Sequence, residues 1–191
     1  LGYLDTGAMY RAATTEFLRR YPDGAPAEDV AAMVADCDLV VQTSPDAPCF
    51  RINGTDVTDE IREPRISAAV SQIATNIEVR RLLTAMMRRI IDEHGRRIVV
   101  EGRDITTVVA PDADVRVLLV ADPEARVARR AAEVAGQASA AEVTDQVLRR
   151  DRDDSTVSNF TDAAEGVVVI DSTWLSPDEV VARIVALVAR Q

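Results

Sequence analysis

Apolar positions along the chain change period several times, and each change predicts a change of element. Leu1 to Leu4 is a short apolar run ending in Asp5-Thr6-Gly7, after which Ala8 to Arg20 carries Met9, Ala12, Ala13 and Phe17 at helical spacing. That order predicts strand, turn and helix. Pro22, Gly24 and Pro26 break the helix, and residues 27–37 predict a second, short amphipathic helix with Glu28 and Asp29 in its first turn, where the helix dipole favours negative charge. From Leu39 the period shortens. Leu39-Val40-Val41 and Cys49 to Ile52 predict strands, and Asn53-Gly54 predicts a hairpin turn into Asp56-Val57, so a small β insertion follows the helices. Pro64 opens a long helical stretch with Ile66, Val70, Ile73 and Ile77 on one face; after a break near Asn76 it runs on through Val79 to Glu93, and Gly95 ends it.

Three continuous apolar runs then recur. Ile98 to Val100 closes in Glu101-Gly102-Arg103-Asp104, Val115 to Val120 closes in Asp122-Pro123, and Val167 to Ile170 closes in Asp171-Ser172-Thr173. Such strands between helices predict a parallel sheet buried on both faces. The helix from Pro123 carries Arg126, Arg129 and Arg130, and a connection at 136–140 leads to another helix that ends in Arg149-Arg150-Asp151-Arg152-Asp153-Asp154, a charged helical hairpin. A last helix spans 177–189.

Composition narrows the classes. At 191 residues and 47% hydrophobic content, the chain supports one globular unit with one or two inserted subdomains. There is no apolar run of about 18 residues and no charged-then-apolar opening, so the expectation is a cytosolic protein with no membrane contact. Cys37, Cys49 and the single His94 lack metal-ligand spacing, and the two thiols are expected reduced, packed as small hydrophobes. A net charge of −10 argues against a general nucleic-acid partner. All 22 basic residues are arginine, the side chain that binds phosphate and carboxylate bidentately.

In an open parallel sheet, ligands bind beyond the carboxyl ends of the strands, which makes the residues after each apolar run the candidates. Taken singly, each cluster also reads as an ordinary helix cap, because Asp, Ser and Thr satisfy backbone N–H groups there. Taken together, Asp5-Thr6-Gly7-Ala8-Met9-Tyr10-Arg11, Ser71-Gln72 with Arg80 nine residues after Ser71, Glu101-Gly102-Arg103-Asp104, and Arg150-Asp151 followed by Asp154-Ser155-Thr156 resemble, in order and spacing, the bacterial cytidylate kinases. The resemblance covers the whole chain.

The resemblance implies a P-loop NTPase-like α/β fold: a parallel sheet flanked by helices, with an inserted monophosphate-binding subdomain that contains the small antiparallel β element, and a helical lid. It implies core at 1–22, 81–125 and 159–191, the monophosphate-binding subdomain at 23–80 and the lid at 126–158. The implied reaction moves the γ-phosphate of ATP, with Mg²⁺, to CMP or dCMP in a monomeric enzyme. Phosphoryl transfer demands clamped phosphates, neutralised charge and excluded water, which arginines in separate segments suit. By the same match Arg11 and Arg80 hold the acceptor phosphate beside Tyr10, with Arg103 reaching the same region. Thr6, Ser71 and Asp104 read cytosine and its sugar, Asp104 accepting from the exocyclic amine that uracil lacks, and Asp154 contacts the ribose. Arg126, Arg130 and Arg150 stabilise the transferring group, whereas Arg129 reads as part of an exposed charge lattice. Asp171, Ser172 and Thr173 line the adenine pocket.

Two departures qualify the match. The family commonly follows Asp-Ser-Thr with an arginine, but Val157 stands here, leaving Arg149 or Arg152 to substitute. The family also places a Gly-x-x-x-x-Gly-Lys-Ser/Thr loop ahead of the segment that opens this sequence, and the 191 residues contain no lysine. The chain as written is therefore expected to bind CMP far better than ATP. An ordinary kinase and a non-catalytic relative that binds a nucleoside monophosphate both remain open from sequence.

Overall fold

The computed structural model describes residues 1–133 and 162–190, which cluster into two compact units, 1–105 and 106–191. In the first unit β1 (Gly2–Asp5) pairs in parallel with β5 (Ile98–Glu101), in the register Gly2 to Ile98 through Asp5 to Glu101. The two acidic residues that end the strands therefore sit side by side. Helix α1 (Thr6–Arg20) leaves β1 without a connecting loop, because Asp5 caps it directly. Its apolar stripe of Ala8, Met9, Ala12, Ala13 and Phe17 is buried, and it packs against β5 and the β insertion.

Helix α2 (Ala27–Asp36) is followed by an antiparallel sheet of β2 (Leu39–Gln42), β3 (Cys49–Ile52) and β4 (Thr55–Asp56), as the hairpin signal predicted. Asn53 and Gly54 both take positive φ, 49° and 77°, the backbone that a two-residue turn needs to match strand twist. Phe50 and Ile52 point from this sheet into the core with Val57 and Ile61.

The long helix expected from Pro64 is three: α3 (Pro64–Ala69), α4 (Ser71–Ala74) and α5 (Ile77–Glu93). The break at Asn76 is a cap, its Oδ1 accepting from Glu78 and Val79 N–H at 3.1 and 3.2 Å. Each break resets the helical phase. Ile66, Val70 and Ile73 are buried as predicted, but Ile77 is 78% exposed, and the core face resumes on Val79, Leu83, Met87 and Ile91.

In the second unit β6 (Val117–Val120) pairs in parallel with β7 (Val168–Asp171). Helix α6 (Pro123–Glu133) follows β6, and α7 (Pro177–Val188) follows β7 behind a capping box of Ser176 and Glu179. The α/β class and parallel pairing match the sequence reading. Burial on both faces does not: Val99 is 52% and Leu119 51% exposed. In β5 half-buried and exposed residues alternate. Cys37 and Cys49 are free thiols, and burial raises the Cys37 pKa. Among the described residues no helix is long and apolar enough to cross a membrane, and no group of three or more His, Cys, Asp or Glu is placed to hold a metal ion.

Candidate active site

The first unit gathers its chemistry at the carboxyl ends of β1 and β5. Asp5 closes β1, and its Oδ1 accepts from the Ala8 N–H at 2.7 Å, the cap that opens α1. Its Oδ2 accepts from Arg11 Nη2 at 2.9 Å, and Arg62 lies 3.5 Å from the same oxygen. The Asp5 and Arg11 side chains are only 7% and 12% exposed. Burial lowers the Arg11 pKa, with Asp5 opposing, and Arg11 Nε is buried with no hydrogen-bond partner among the described residues. A buried cationic donor without an acceptor is costly, and an incoming anion relieves that cost.

Across the parallel register, Glu101 closes β5. Its carbonyl accepts from Thr6 Oγ1 at 2.8 Å, so the Thr6 hydroxyl hydrogen ties the start of α1 to the end of β5. This contact is possible because residue 102 is glycine: a Cβ there would lie 2.1 Å from Thr6 Oγ1. Glu101 keeps solvent access as a residue, but partial loss of hydration at its carboxyl raises the pKa, and the adjacent Asp5 adds to the shift. Tyr3 donates to Glu101 Oε1 at 3.3 Å, and burial together with the Glu101 charge pushes Tyr3 up to about 12.

Two residues beyond Gly102, Asp104 is buried and accepts a short hydrogen bond from Arg80 Nη2. Arg80 sits in the first turn of α5, where its Nη1 donates to the Ala74 carbonyl at 3.0 Å and its guanidinium carbon lies 5.9 Å from the centroid of the buried Tyr10 ring. The pair is well enclosed, at 16% and 9% exposure. Ser71 opens α4 half-buried, and Arg103 lies half-buried between Gly102 and Asp104. Thr6, Tyr10, Arg11, Arg80 and Asp104 are thus linked by these contacts across α1, the end of β5 and the start of α5, far apart in sequence.

In the second unit Asp171 closes β7, and its Oδ1 accepts from Thr173 N at 2.9 Å and Thr173 Oγ1 at 2.6 Å. Ser172 is buried and bonds Val120 through both Oγ and N, at 3.0 and 2.7 Å. Thr173 Oγ1 accepts from Asp122 N at 2.9 Å, so the loops after β6 and β7 are stitched together. Arg126 and Arg130 are half-buried on α6. Arg129 is no member of an exposed lattice, since its guanidinium donates to Ser172 Oγ and to the loop carbonyls. Arg150 and Asp154, with Arg149, Arg152 and Val157, lie outside the described residues.

Sequence patterns gave no role to Tyr3 or Arg62, and held Asp5 and Glu101 only within their motifs. The available signal was the acidic residue ending each of two apolar runs, which parallel pairing brings abreast.

The family model for cytidylate kinase matches residues 1–190. The chain belongs to the cytidylate kinase family. It is 52% identical over 190 residues to the cytidylate kinase of Cutibacterium acnes, covering 98% of this chain and 84% of that one. It is also 40% identical over 189 residues to that of Streptomyces griseus, covering 98% and 81%. A Synechococcus bifunctional pantoate ligase/cytidylate kinase is 39% identical over 190 residues, 95% of this chain but 37% of that protein. Cytidylate kinase membership agrees with the strings that suggested it: Asp5 to Arg11 build the capped, arginine-bearing start of α1, and Glu101 to Asp104 supply the facing loop.

Proposed function

We propose that this cytidylate kinase family member transfers the γ-phosphate of ATP to CMP or dCMP. The observation that carries the acceptor site is Arg11, a buried guanidinium held by Asp5 with its Nε unsatisfied, beside a second enclosed pair, Arg80 with Asp104.

Arg11, with Arg103 on the facing loop, receives the acceptor phosphate, and charge-assisted bonds to phosphate oxygens replace the missing partner of Nε. Arg80 was expected at the phosphate too, but its two bonds to Asp104 and Ala74 hold it beside the carboxylate that reads the base. An acceptor next to a cationic donor complements cytosine, whose exocyclic amine donates while N3 and O2 accept. We therefore assign Arg80 to the base, with Thr6, Tyr10 and Ser71 around the ring and sugar and Asp154 at the ribose. The segment 23–80 serves as the acceptor-binding subdomain and 126–158 as the lid, whose Arg126, Arg130 and Arg150 neutralise charge on the moving phosphoryl group. Asp171 to Thr173 receive adenine. One acceptor phosphate oxygen forms a bond to the γ-phosphorus while the bond to the β-phosphate oxygen breaks and ADP leaves, so no protein nucleophile is required.

Mg²⁺ bound with ATP would supply further charge neutralisation for the transferring phosphoryl group, beside the arginines named above. The test is ADP release by the full-length protein with CMP, dCMP and UMP, beside calorimetry of CMP and cytidine with wild type and Arg11→Ala. Turnover of CMP and dCMP is expected, with CMP affinity weakened in the variant by about 2–5 kcal/mol and cytidine affinity unchanged. CMP binding without turnover would favour a non-catalytic relative, and equal loss of CMP and cytidine would remove Arg11 from the phosphate.

A further inference from the structure

One arginine in the second unit makes contacts that the expected family roles leave unexplained. Arg129 lies on α6, three residues beyond Arg126, and is exposed as a residue. Its guanidinium nevertheless folds onto the loop after β7. Nη1 donates to Ser172 Oγ at 3.1 Å, and Nη2 bonds the Ser172 carbonyl and lies 3.4 Å from each of the Thr173 and Leu175 carbonyls. We propose that Arg129 is a positioning residue for the donor nucleotide, fixing the 172–175 backbone in the conformation that receives adenine. The proposal rests on the assignment of this loop to adenine given above.

Ladder bonding to β6 ends at Ser172 N, and the backbone of the turn that follows is closed by Leu175 N to the Ser172 carbonyl at 3.1 Å. The Thr173 side chain and N–H are held by Asp171 and Asp122, whereas the carbonyls of Ser172, Thr173 and Leu175 turn to Arg129. Convergence of the Ser172, Thr173 and Leu175 carbonyls on one point is repulsive without a cation between them, and a planar guanidinium supplies several donors in a fixed fork. Ordering a loop residue costs about 1–2 kcal/mol, and a loop already ordered removes that cost from nucleotide binding. A lysine at 129 keeps the charge but loses the fork.

The experiment uses Arg129→Ala and Arg129→Lys in the full-length protein. Trp174, the only tryptophan and 90% exposed, lies within the clamped loop and reports on it. For both variants the KM for ATP is expected to rise roughly tenfold, the loss of about one charge-assisted hydrogen bond, while the KM for CMP stays within about twofold. Trp174 anisotropy without nucleotide is expected to fall in both. Unchanged ATP KM and unchanged anisotropy overturn the proposal, as do equal rises in both KM values with a lowered melting temperature, which mark a merely structural residue. Rescue by lysine also overturns it. Titration of ADP separates the two layers: bound ADP that leaves Trp174 emission unchanged in wild type overturns the adenine assignment and the proposal together. ADP that shifts wild-type emission but binds Arg129→Ala equally well overturns the role of Arg129 alone.

Discussion

Replacing Asp104 with asparagine removes a charge and almost no volume, which isolates the electrostatic part of base recognition. Asp104 and Arg80 form an enclosed pair, 9% and 16% exposed, and the guanidinium is further held by Ala74 and the Tyr10 ring. Two unit charges about 4 Å apart attract by roughly 4 kcal/mol at an effective dielectric near 20. The asparagine carbonyl still accepts from Arg80, so the net loss of stability is smaller, on the order of 1–2 kcal/mol. For a chain of this size that corresponds to a melting temperature lower by about 2–8 °C. The effect on substrate choice is larger than on folding. A carboxylate accepting from the cytosine amine contributes about 1.5–3 kcal/mol, whereas a neutral amide can turn its NH₂ toward the O4 of uracil. The preference for CMP over UMP in kcat/KM is expected to fall by roughly tenfold to a hundredfold or more. Coupled ADP-release rates with each nucleotide on full-length protein measure it, with a thermal melt run beside them. A folded variant whose preference stays within about twofold of wild type would refute the assignment of Asp104 to the base.

Glu101 offers a pH test. Partial loss of hydration at the carboxyl and the Asp5 charge raise its folded pKa, so its stabilising contribution is complete below the ordinary glutamate range and is lost as pH rises through the folded value. Glu101→Gln, which mimics the protonated form, should melt with wild type at about pH 4 and above it by about pH 8; a gap that does not widen with pH contradicts the burial argument. Gly102→Ala places a methyl 2.1 Å from Thr6 Oγ1 and 3.0 Å from Ile105 Cδ1, which should cost about 1–3 kcal/mol in denaturant melts. Adding Thr6→Ala should restore part of the loss, and no recovery would move the clash elsewhere. Asn76→Ala removes the cap of α5 and a bond to the Ala27 carbonyl at 2.8 Å, an expected loss of about 1–2 kcal/mol by urea unfolding, and a change within error would show that the cap is redundant.

The sequence by itself determined the order of elements, because each depends on short-range rules. Alternation and apolar runs marked the strands, Asn53-Gly54 marked the hairpin, and Pro64 and Gly95 bracketed the helical stretch to within its internal breaks. The motif strings were also enough for the family. What the sequence left open were properties of facing groups. Ile77 keeps helical spacing from Ile73 yet faces solvent, because the Asn76 cap reset the phase. Asp5 and Glu101 are 96 positions apart, and only parallel registration sets them abreast, where Asp5 adds to the rise that loss of hydration causes in the Glu101 pKa. Arg11, Arg80 and Arg129 look alike in sequence. Tertiary packing made Arg11 a buried donor lacking one acceptor, Arg80 the partner of Asp104, and Arg129 a clamp on backbone carbonyls. The physical reason is that an arginine's chemistry depends on which acceptors and how little water surround its guanidinium, and those neighbours come from segments that no local pattern connects.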